Sequence, residues 1–319
     1  MNLMWTFRYA PAVLSAFAVP LSLPNELAPM GNPLLGPLAI APLLLSLYRC
    51  ESYAQAARSA MLFTTISTVL TYYWLAKFQG FSLWTLGGTI VGYAVFGAIL
   101  GPILRGVAIA ASQFRPYAVA CAWVVYEYLR SSGFLGFPWG LVAYPVQGIT
   151  PLIQFTSLTG IWGLSLLVAL SNAVVAEGAT RAWRQQPVRA YLLVVILSSV
   201  AMGHGLIRLG ITPISEPRTE NETVIEVALI QHNRNPWEDG DDEGSIRTLM
   251  ELTRQELNRG EVDLIVWSET ALRHPPIGEH AKIFESVPKE DPLANFMRSL
   301  NAHLITGSPY PPADDQGRW

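Results

Sequence analysis

One carboxylate of this chain, Glu269, stands two residues beyond a pattern typical of a buried strand. Five of the six residues from 262 to 267 are apolar. A carboxylate at the end of a buried strand loses solvation energy unless it is paired, hydrogen-bonded or used as a proton acceptor. Because ligands commonly bind at the carboxyl ends of strands in α/β sheets, Glu269 fits a general base as well as it fits a capping or salt-bridged acid.

Other side chains that carry chemistry do not form a known motif in this sequence. The two cysteines, Cys50 and Cys121, provide neither a disulfide framework nor a metal pair, and both fit structural positions. The five histidines lack the spacing of zinc motifs, and no GxSxG, P-loop or dinucleotide-binding pattern occurs. We therefore expect no metal and no bound cofactor.

The composition indicates a membrane protein. Of the 319 residues, 51% are hydrophobic and only 14% are charged, which is too apolar for an ordinary soluble chain. The formal net charge of -3 gives no electrostatic basis for binding nucleic acid. The elements that position Glu269 therefore belong to a chain that is partly embedded in lipid.

Apolar segments succeed one another up to residue 209. About seven can be distinguished, most of them near the roughly 20 residues that cross a bilayer. They cover residues 9–23, 33–48, 57–76, 84–104, 116–129, 151–175 and 191–209. We expect residues 1–209 to form a multi-pass α-helical membrane domain.

The arginines predict how this domain is oriented. Every second loop, starting with the residues before the first segment, is rich in arginine, and short loops rich in Lys and Arg stay on the cytoplasmic side. An odd number of spans then places the N-terminus in the cytoplasm and everything after residue 209 on the extracytoplasmic side. Two GxxxG spacings, at 88–92 and 97–101, predict close contacts between helices.

A glycine-rich stretch from 127 to 148, on the predicted outer side, combines charged and aromatic residues. It contains Glu127 and Arg130, followed by Phe137, Pro138 and Trp139. Composition alone favours an aromatic belt at the membrane interface with a charge pair at a helix end. The alternative is a lipid-binding surface in which the aromatic rings hold acyl chains and Arg130 meets a phosphate.

A polar, proline-bearing linker at 210–223 separates the membrane domain from a region with a different periodicity. Strands are predicted at 224–231, 263–267 and 302–308, and helices at 245–258 and 291–301. This alternation of strand and helix predicts an α/β layer over residues 224–319. Glu269 follows the second strand of that layer.

Four stretches of the sequence resemble, in their order and spacing, one bacterial family, the apolipoprotein N-acyltransferases. They are EYLRSSGFLGFPWG at 127–140, VALIQHNRNPW at 227–237, DLIVWSETAL at 263–272 and LITGS at 304–308. The resemblance covers nearly the whole chain, although the family usually has glycine at the position of His232 and proline at that of Ser268. It implies a membrane domain followed by a nitrilase-like (CN hydrolase) αββα sandwich.

The resemblance also implies a two-step acyl transfer at the bacterial cytoplasmic (inner) membrane. A cysteine thiolate takes a fatty acyl chain from a phospholipid and passes it to the α-amine of a diacylglyceryl-cysteine apolipoprotein, without a cofactor. Glu269 matches the general base. Trp237 matches a tryptophan at the mouth of the family's active site, and Phe137, Pro138 and Trp139 match a membrane loop below it. These four residues are the lipid contacts that the resemblance implies. We add Arg130 as a cation that could also bind the lipid.

The family's oxyanion-stabilising lysine and nucleophilic cysteine have no match in this sequence. No cysteine follows Glu269, and Lys282 and Lys289 do not match the family lysine. We therefore expect an enzyme truncated at its C-terminus, with 224–319 as an incomplete nitrilase-like domain, inactive alone unless a separate C-terminal polypeptide supplies the remainder. The alternative is a non-catalytic membrane remnant or a binding protein with an outer α/β fragment.

Overall fold

The structure, a computed structural model, describes residues 3–77, 82–133, 136–180, 187–211, 224–233, 242–268, 271–272 and 292–307. The chain divides into two compact units, residues 1–216 and 217–319. The first unit is helical and the second contains a parallel sheet, in line with the change of periodicity after residue 209.

Each predicted apolar segment of the first unit contains a helix. In chain order the helices are α1 (Leu3–Ser22), α2 (Ala41–Arg49), α3 (Tyr53–Tyr72), α4 (Ser82–Ala110), α5 (Arg115–Arg130), α6 (Thr150–Ile153), α7 (Thr156–Gly178) and α8 (Pro187–Ile211). Short 3-10 turns lie at Gly36–Leu38, Tyr73–Lys77 and Tyr144–Val146. Among the described residues, three stretches are long and apolar enough to cross a membrane, namely Trp84–Ala110, Thr156–Gly178 and Val188–Gly210. The seven-span topology and the cytoplasmic N-terminus stay predictions.

One of the two GxxxG spacings makes the close helix contact that the sequence predicts. A Cβ placed at Gly97 or Gly101 on α4 would collide with backbone atoms of α3, at Ala60 and Ala56 respectively. The first GxxxG, at 88–92, makes no such contact, since a Cβ at Gly92 would meet no atom within 4 Å. The second GxxxG therefore lets α3 and α4 approach at backbone distance.

A buried asparagine joins α7 to the start of α2. Asn172, which is fully buried, accepts hydrogen bonds through Oδ1 from the backbone N–H groups of Ile40 (2.9 Å) and Ala41 (3.0 Å). Its Nδ2 donates to the carbonyl oxygens of Gly36 and Val168, both at 2.9 Å. Because the first N–H groups of a helix have no partner within the helix, this side chain satisfies donors that the apolar core would leave unpaired.

The second unit contains the predicted alternation of strands and helices. The elements are β1 (Val227–Ile230), α9 (Asp242–Leu257), β2 (Leu264–Trp267), α10 (Pro292–Ser299) and β3 (His303–Ile305). The strands are parallel in the order β1-β2-β3, with β2 paired to both of the others. All three are shorter than the predicted strands or begin later, because pairing in the ladder involves only part of each apolar run.

The two faces of this sheet differ in what covers them. One face is buried against α9 and α10 through a core that includes Ile230, Ile265 and Trp267. The other face carries apolar side chains that stay open among the described residues of this unit. Leu229 is 77% exposed, Ile305 56% and Val227 43%.

Candidate functional site

The predicted site residues fall into two groups. Arg130, Phe137, Pro138 and Trp139 lie together in the first unit, at the end of α5 and in the loop that follows it. Glu269, Trp237 and the two lysines Lys282 and Lys289 lie outside the described residues, as does most of the predicted linker 210–223. Their assigned roles stay predictions, and only the chain on either side of Glu269 can be placed.

Arg130, the last residue of α5, holds the aromatic loop by its backbone. The buried guanidinium donates four hydrogen bonds: to the Tyr93 hydroxyl (2.7 Å) and to the carbonyl oxygens of Phe137 (3.2 Å), Trp139 (2.9 Å) and Gly140 (3.1 Å). The planar fork of arginine suits several acceptors at once. Both terminal nitrogens already donate hydrogen bonds to the loop or to Tyr93. In this structure the guanidinium therefore holds the loop in place.

Glu127, one turn before Arg130, fixes the next part of the same loop. Its Oε1 accepts a hydrogen bond from the backbone N–H of Val142 at 2.9 Å and lies 3.9 Å from Arg130 Nη2. The Glu127 side chain is 1% exposed and that of Arg130 is 4% exposed, so the opposite charges compensate each other where water is largely excluded. The pair thus ties α5 to both halves of the loop.

Two tyrosines complete the anchorage of the loop, and the sequence gives no local signal for either. The Tyr72 hydroxyl, at the end of α3, donates to the Trp139 carbonyl at 2.8 Å, and Tyr93 on α4 accepts from Arg130. Both residues stand in apolar segments, where a tyrosine also fits an ordinary packing or interfacial position. Gly140 adopts a positive φ of 69°, and a Cβ there would lie 2.7 Å from the Tyr72 hydroxyl, so glycine is required at this turn.

The carbonyl groups of the loop face inward, and its aromatic rings form an outer cluster. The rings of Phe137 and Trp139 stack with centroids 5.8 Å apart and an interplanar angle of 6°. Trp74 lies 4.9 Å from Trp139 between ring centroids. Pro138 is exposed and Trp139 is 51% exposed. Rigid apolar rings fixed in this way can bind acyl chains without first being ordered.

In the second unit, the chain on both sides of Glu269 is held by neighbouring strands. The backbone N–H of Ser268 donates to Ile230 of β1 at 3.2 Å, and that of Leu272 donates to Gly307, beyond β3, at 3.2 Å. The Trp267 indole N–H donates to Thr253 of α9 at 3.0 Å, which fixes the last residue of β2. In the sequence, Glu269 comes two residues after the middle strand of the described sheet, and ligands of α/β layers commonly bind at the carboxyl ends of strands.

Apart from the loop held by Arg130 and the chain on either side of Glu269, the described residues offer no further candidate site. No group of three or more His, Cys, Asp or Glu side chains suited to a metal is present among them. Burial raises the pKa of the Cys50 thiol above its usual range, which disfavours the reactive thiolate. Cys121 is exposed on the surface of α5.

Comparison with known proteins relates the chain to one family. Residues 15–174 match the family described as the apolipoprotein N-acyltransferase N-terminal domain. The chain is 32% identical to "Apolipoprotein N-acyltransferase 2" of Treponema pallidum (strain Nichols), over 94% of this chain and 56% of that protein. It is 29% identical to "Apolipoprotein N-acyltransferase 2" of Treponema denticola, over 95% of this chain and 58% of that protein. It is 26% identical to "Apolipoprotein N-acyltransferase" of Borreliella burgdorferi, over 96% and 58%. The chain therefore spans 56 to 58% of the length of these relatives.

Proposed function

This chain is a member of the apolipoprotein N-acyltransferase family, and from that membership we propose that it takes part in the phospholipid-dependent N-acylation of bacterial apolipoproteins. The acyl donor is a membrane phospholipid, and the acceptor is the α-amine of the diacylglyceryl-cysteine at the apolipoprotein N-terminus. The observation that carries the proposal is the aromatic loop, whose backbone is bound inward by Arg130 and whose rings form an outer cluster.

The loop supplies contacts for the acyl chain of the donor. Phe137, Pro138 and Trp139 offer an apolar surface next to helices that are suited to a membrane. Arg130 contributes by holding this surface rather than by meeting the lipid phosphate, because its terminal nitrogens already bind carbonyl oxygens. Trp237 is a further lipid contact on the side of the second unit, as the family resemblance implies.

Glu269 is the general base of the reaction in this proposal. It accepts the proton of a cysteine thiol, and the thiolate attacks the ester carbonyl of the phospholipid. The ester C–O bond breaks, which gives the thioester and a lysophospholipid whose oxygen takes the proton back from Glu269. The apolipoprotein amine then attacks the thioester, the C–S bond breaks, and the amine proton passes to the departing thiolate, so that the products are an amide and the free thiol. The backbone hydrogen bonds of Ser268 and Leu272, on either side of Glu269 in the sequence, support this assignment.

The nucleophile and the oxyanion-stabilising lysine come from a further stretch of polypeptide. Cys50 is buried, Cys121 is exposed on α5, and neither matches the family nucleophile. We therefore propose that the 319 residues form no thioester alone and act with a segment that provides both groups, either in the same protein or as a separate polypeptide.

The same segment would complete a nitrilase-like αββα sandwich. Among the described residues of the second unit, α9 and α10 cover one face of the sheet, and the apolar side chains of Leu229, Val227 and Ile305 are exposed on the opposite face. An exposed apolar face of this kind is suited to a second layer of structure. The arginine-rich loops support a location in the cytoplasmic membrane with this unit on the outer side.

A chimera tests the proposal. The chain is joined, after residue 319, to the matching C-terminal part of the Treponema pallidum relative and expressed in bacteria depleted of their own N-acyltransferase. Mass spectrometry of lipoprotein N-termini should show triacylated cysteine, and the intact relative serves as the positive control. If the chimera inserts in the membrane but the lipoproteins stay diacylated, the chain is a non-catalytic remnant or a binding protein.

A further inference from the structure

A cavity of about 50 Å³ lies inside the helical unit, beneath the aromatic loop. Its wall combines apolar residues of α1 with a row of hydroxyl side chains on α3. Four of its residues come from α5, two from the loop and one from α4, and those of α5 include the ion pair Glu127 and Arg130. The hydroxyl-bearing residues of α3 that line it are Thr64, Ser67, Thr68, Thr71 and Tyr72.

Buried polar atoms on this wall are left without a hydrogen-bond partner within the described residues. They are Oε2 of Glu127, Nε of Arg130, Nε1 of Trp123 and Oγ1 of Thr68. All four residues are at least nine-tenths buried. An unpaired buried polar group is unfavourable, so four around one cavity indicate a polar occupant.

The distances between these groups indicate what that occupant is. Glu127 Oε1 and Arg130 Nη2 are 3.9 Å apart, which is too long for a direct hydrogen bond. Trp123 and Ser165 both lie near the Glu127 carboxylate, yet neither the indole N–H nor the Ser165 hydroxyl reaches the geometry of a normal hydrogen bond. A water beside such a pair can bond to both groups.

We propose that the cavity is a binding site for ordered water, which bridges the Glu127 carboxylate to the Arg130 guanidinium and to the unpaired groups of the wall. One water needs roughly 10 to 15 Å³ of such space, so about three to five molecules fit. The set of atoms suits a neutral ligand that both donates and accepts, because the two charges already compensate each other. The water thereby links α3 to α5 and solvates an ion pair that a dry bundle would disfavour.

Radiolytic labelling tests this inference, because hydroxyl radicals formed from an internal water oxidise adjacent side chains even when a scavenger removes radicals from bulk solvent. The chain contains a matched pair of tryptophans. Trp123 is 4% exposed and lines the cavity, whereas Trp267 is 3% exposed and its N–H is bonded directly to Thr253. In phospholipid vesicles with scavenger present, we expect severalfold more oxidation at Trp123 than at Trp267.

A pair of threonine variants assigns the labelling to the cavity. Thr68→Val removes one polar atom of the wall with little change of shape, and scavenger-resistant oxidation of Trp123 should fall. Thr65→Val is the control, since the Thr65 hydroxyl donates to Met61 within its own helix at 2.7 Å and the residue does not line the cavity. Equal oxidation of the two tryptophans in the parent chain, or an unchanged Trp123 signal in Thr68→Val, would overturn the inference. None of these measurements depends on acyltransferase activity.

Discussion

Replacement of Arg130 by methionine is expected to release the aromatic loop and to weaken the helical unit. The substitution removes hydrogen bonds to three loop carbonyl oxygens and to Tyr93. Hydrogen bonds between helices in membranes contribute on average about 0.6 kcal/mol each, which gives about 2 kcal/mol for the set. The variant also leaves Glu127 as a buried carboxylate without its cation, and breaking a buried pair in this way costs about 3 to 5 kcal/mol.

The charge contribution can be separated from the loop contribution by a second substitution. Glu127→Gln keeps an oxygen that can accept from Val142 but removes the negative charge. In the double variant no charge is left unpaired, so we expect it to be less destabilised than Arg130→Met alone, by about 1 to 3 kcal/mol. Unfolding of the chain in mixed detergent micelles, followed by circular dichroism, measures all members of this double-mutant cycle.

Lipid contact by the loop gives an independent measurement on the same variants. A phospholipid with a photoactivatable group in its acyl chain should cross-link to the peptide that contains Phe137 and Trp139. We expect this cross-link to be lost in both Arg130→Met and the double variant, because the loop is released in each. A double variant that is as unstable as the single one would refute the charge argument. A cross-link that persists without Arg130 would show that the guanidinium does not position the loop.

Three further substitutions test other parts of the chain. Asn172→Leu leaves the backbone groups that start α2 unpaired, so the unfolding free energy should fall by about 1 to 3 kcal/mol. Gly101→Val should separate α3 from α4 and lower the unfolding temperature, whereas Gly92→Val, with open space at its Cβ, should not. In the active chimera, Glu269→Gln should slow thioester formation by about 10² to 10⁴ without loss of folding or insertion, and formation at the parental rate would leave Glu269 as an ordinary strand-end acid.

Local periodicity was sufficient to predict the order of elements in the second unit. The apolar run before Ser268 and the amphipathic pattern of 245–258 each reflect neighbours in sequence, and the structure confirms β2 and α9 there. Strand lengths were overestimated, because pairing depends on the partner strand and not on the apolar run alone. A helix must be both long and apolar to cross a membrane. Three stretches of the described residues are long and apolar enough.

The contacts of the loop could not be predicted in the same way. The spacing of Glu127 and Arg130 indicated a charge pair at a helix end, and the structure confirms that pair. That the guanidinium would bind the carbonyls of Trp139 and Gly140 depends on a turn in the intervening chain, and its bond to Tyr93 depends on the packing of α4 against α5. Asn172 is a comparable case, because a single polar residue in an apolar segment does not reveal which distant backbone groups it satisfies.

The buried polar groups of the first unit show how the loop can be held in place if it faces lipid, as the proposed function requires. The Phe137 ring packs edge-on against the buried Tyr72 ring, with centroids 5.2 Å apart. The rest of the anchorage comes from the loop backbone, whose carbonyl oxygens would find no donor in lipid. Arg130 and Tyr72 provide those donors from two different helices, and Glu127 compensates the charge that this arrangement buries. In the proposed function, the ion pair, the hydroxyl-lined cavity and the outer aromatic cluster would together present a fixed apolar surface to phospholipid.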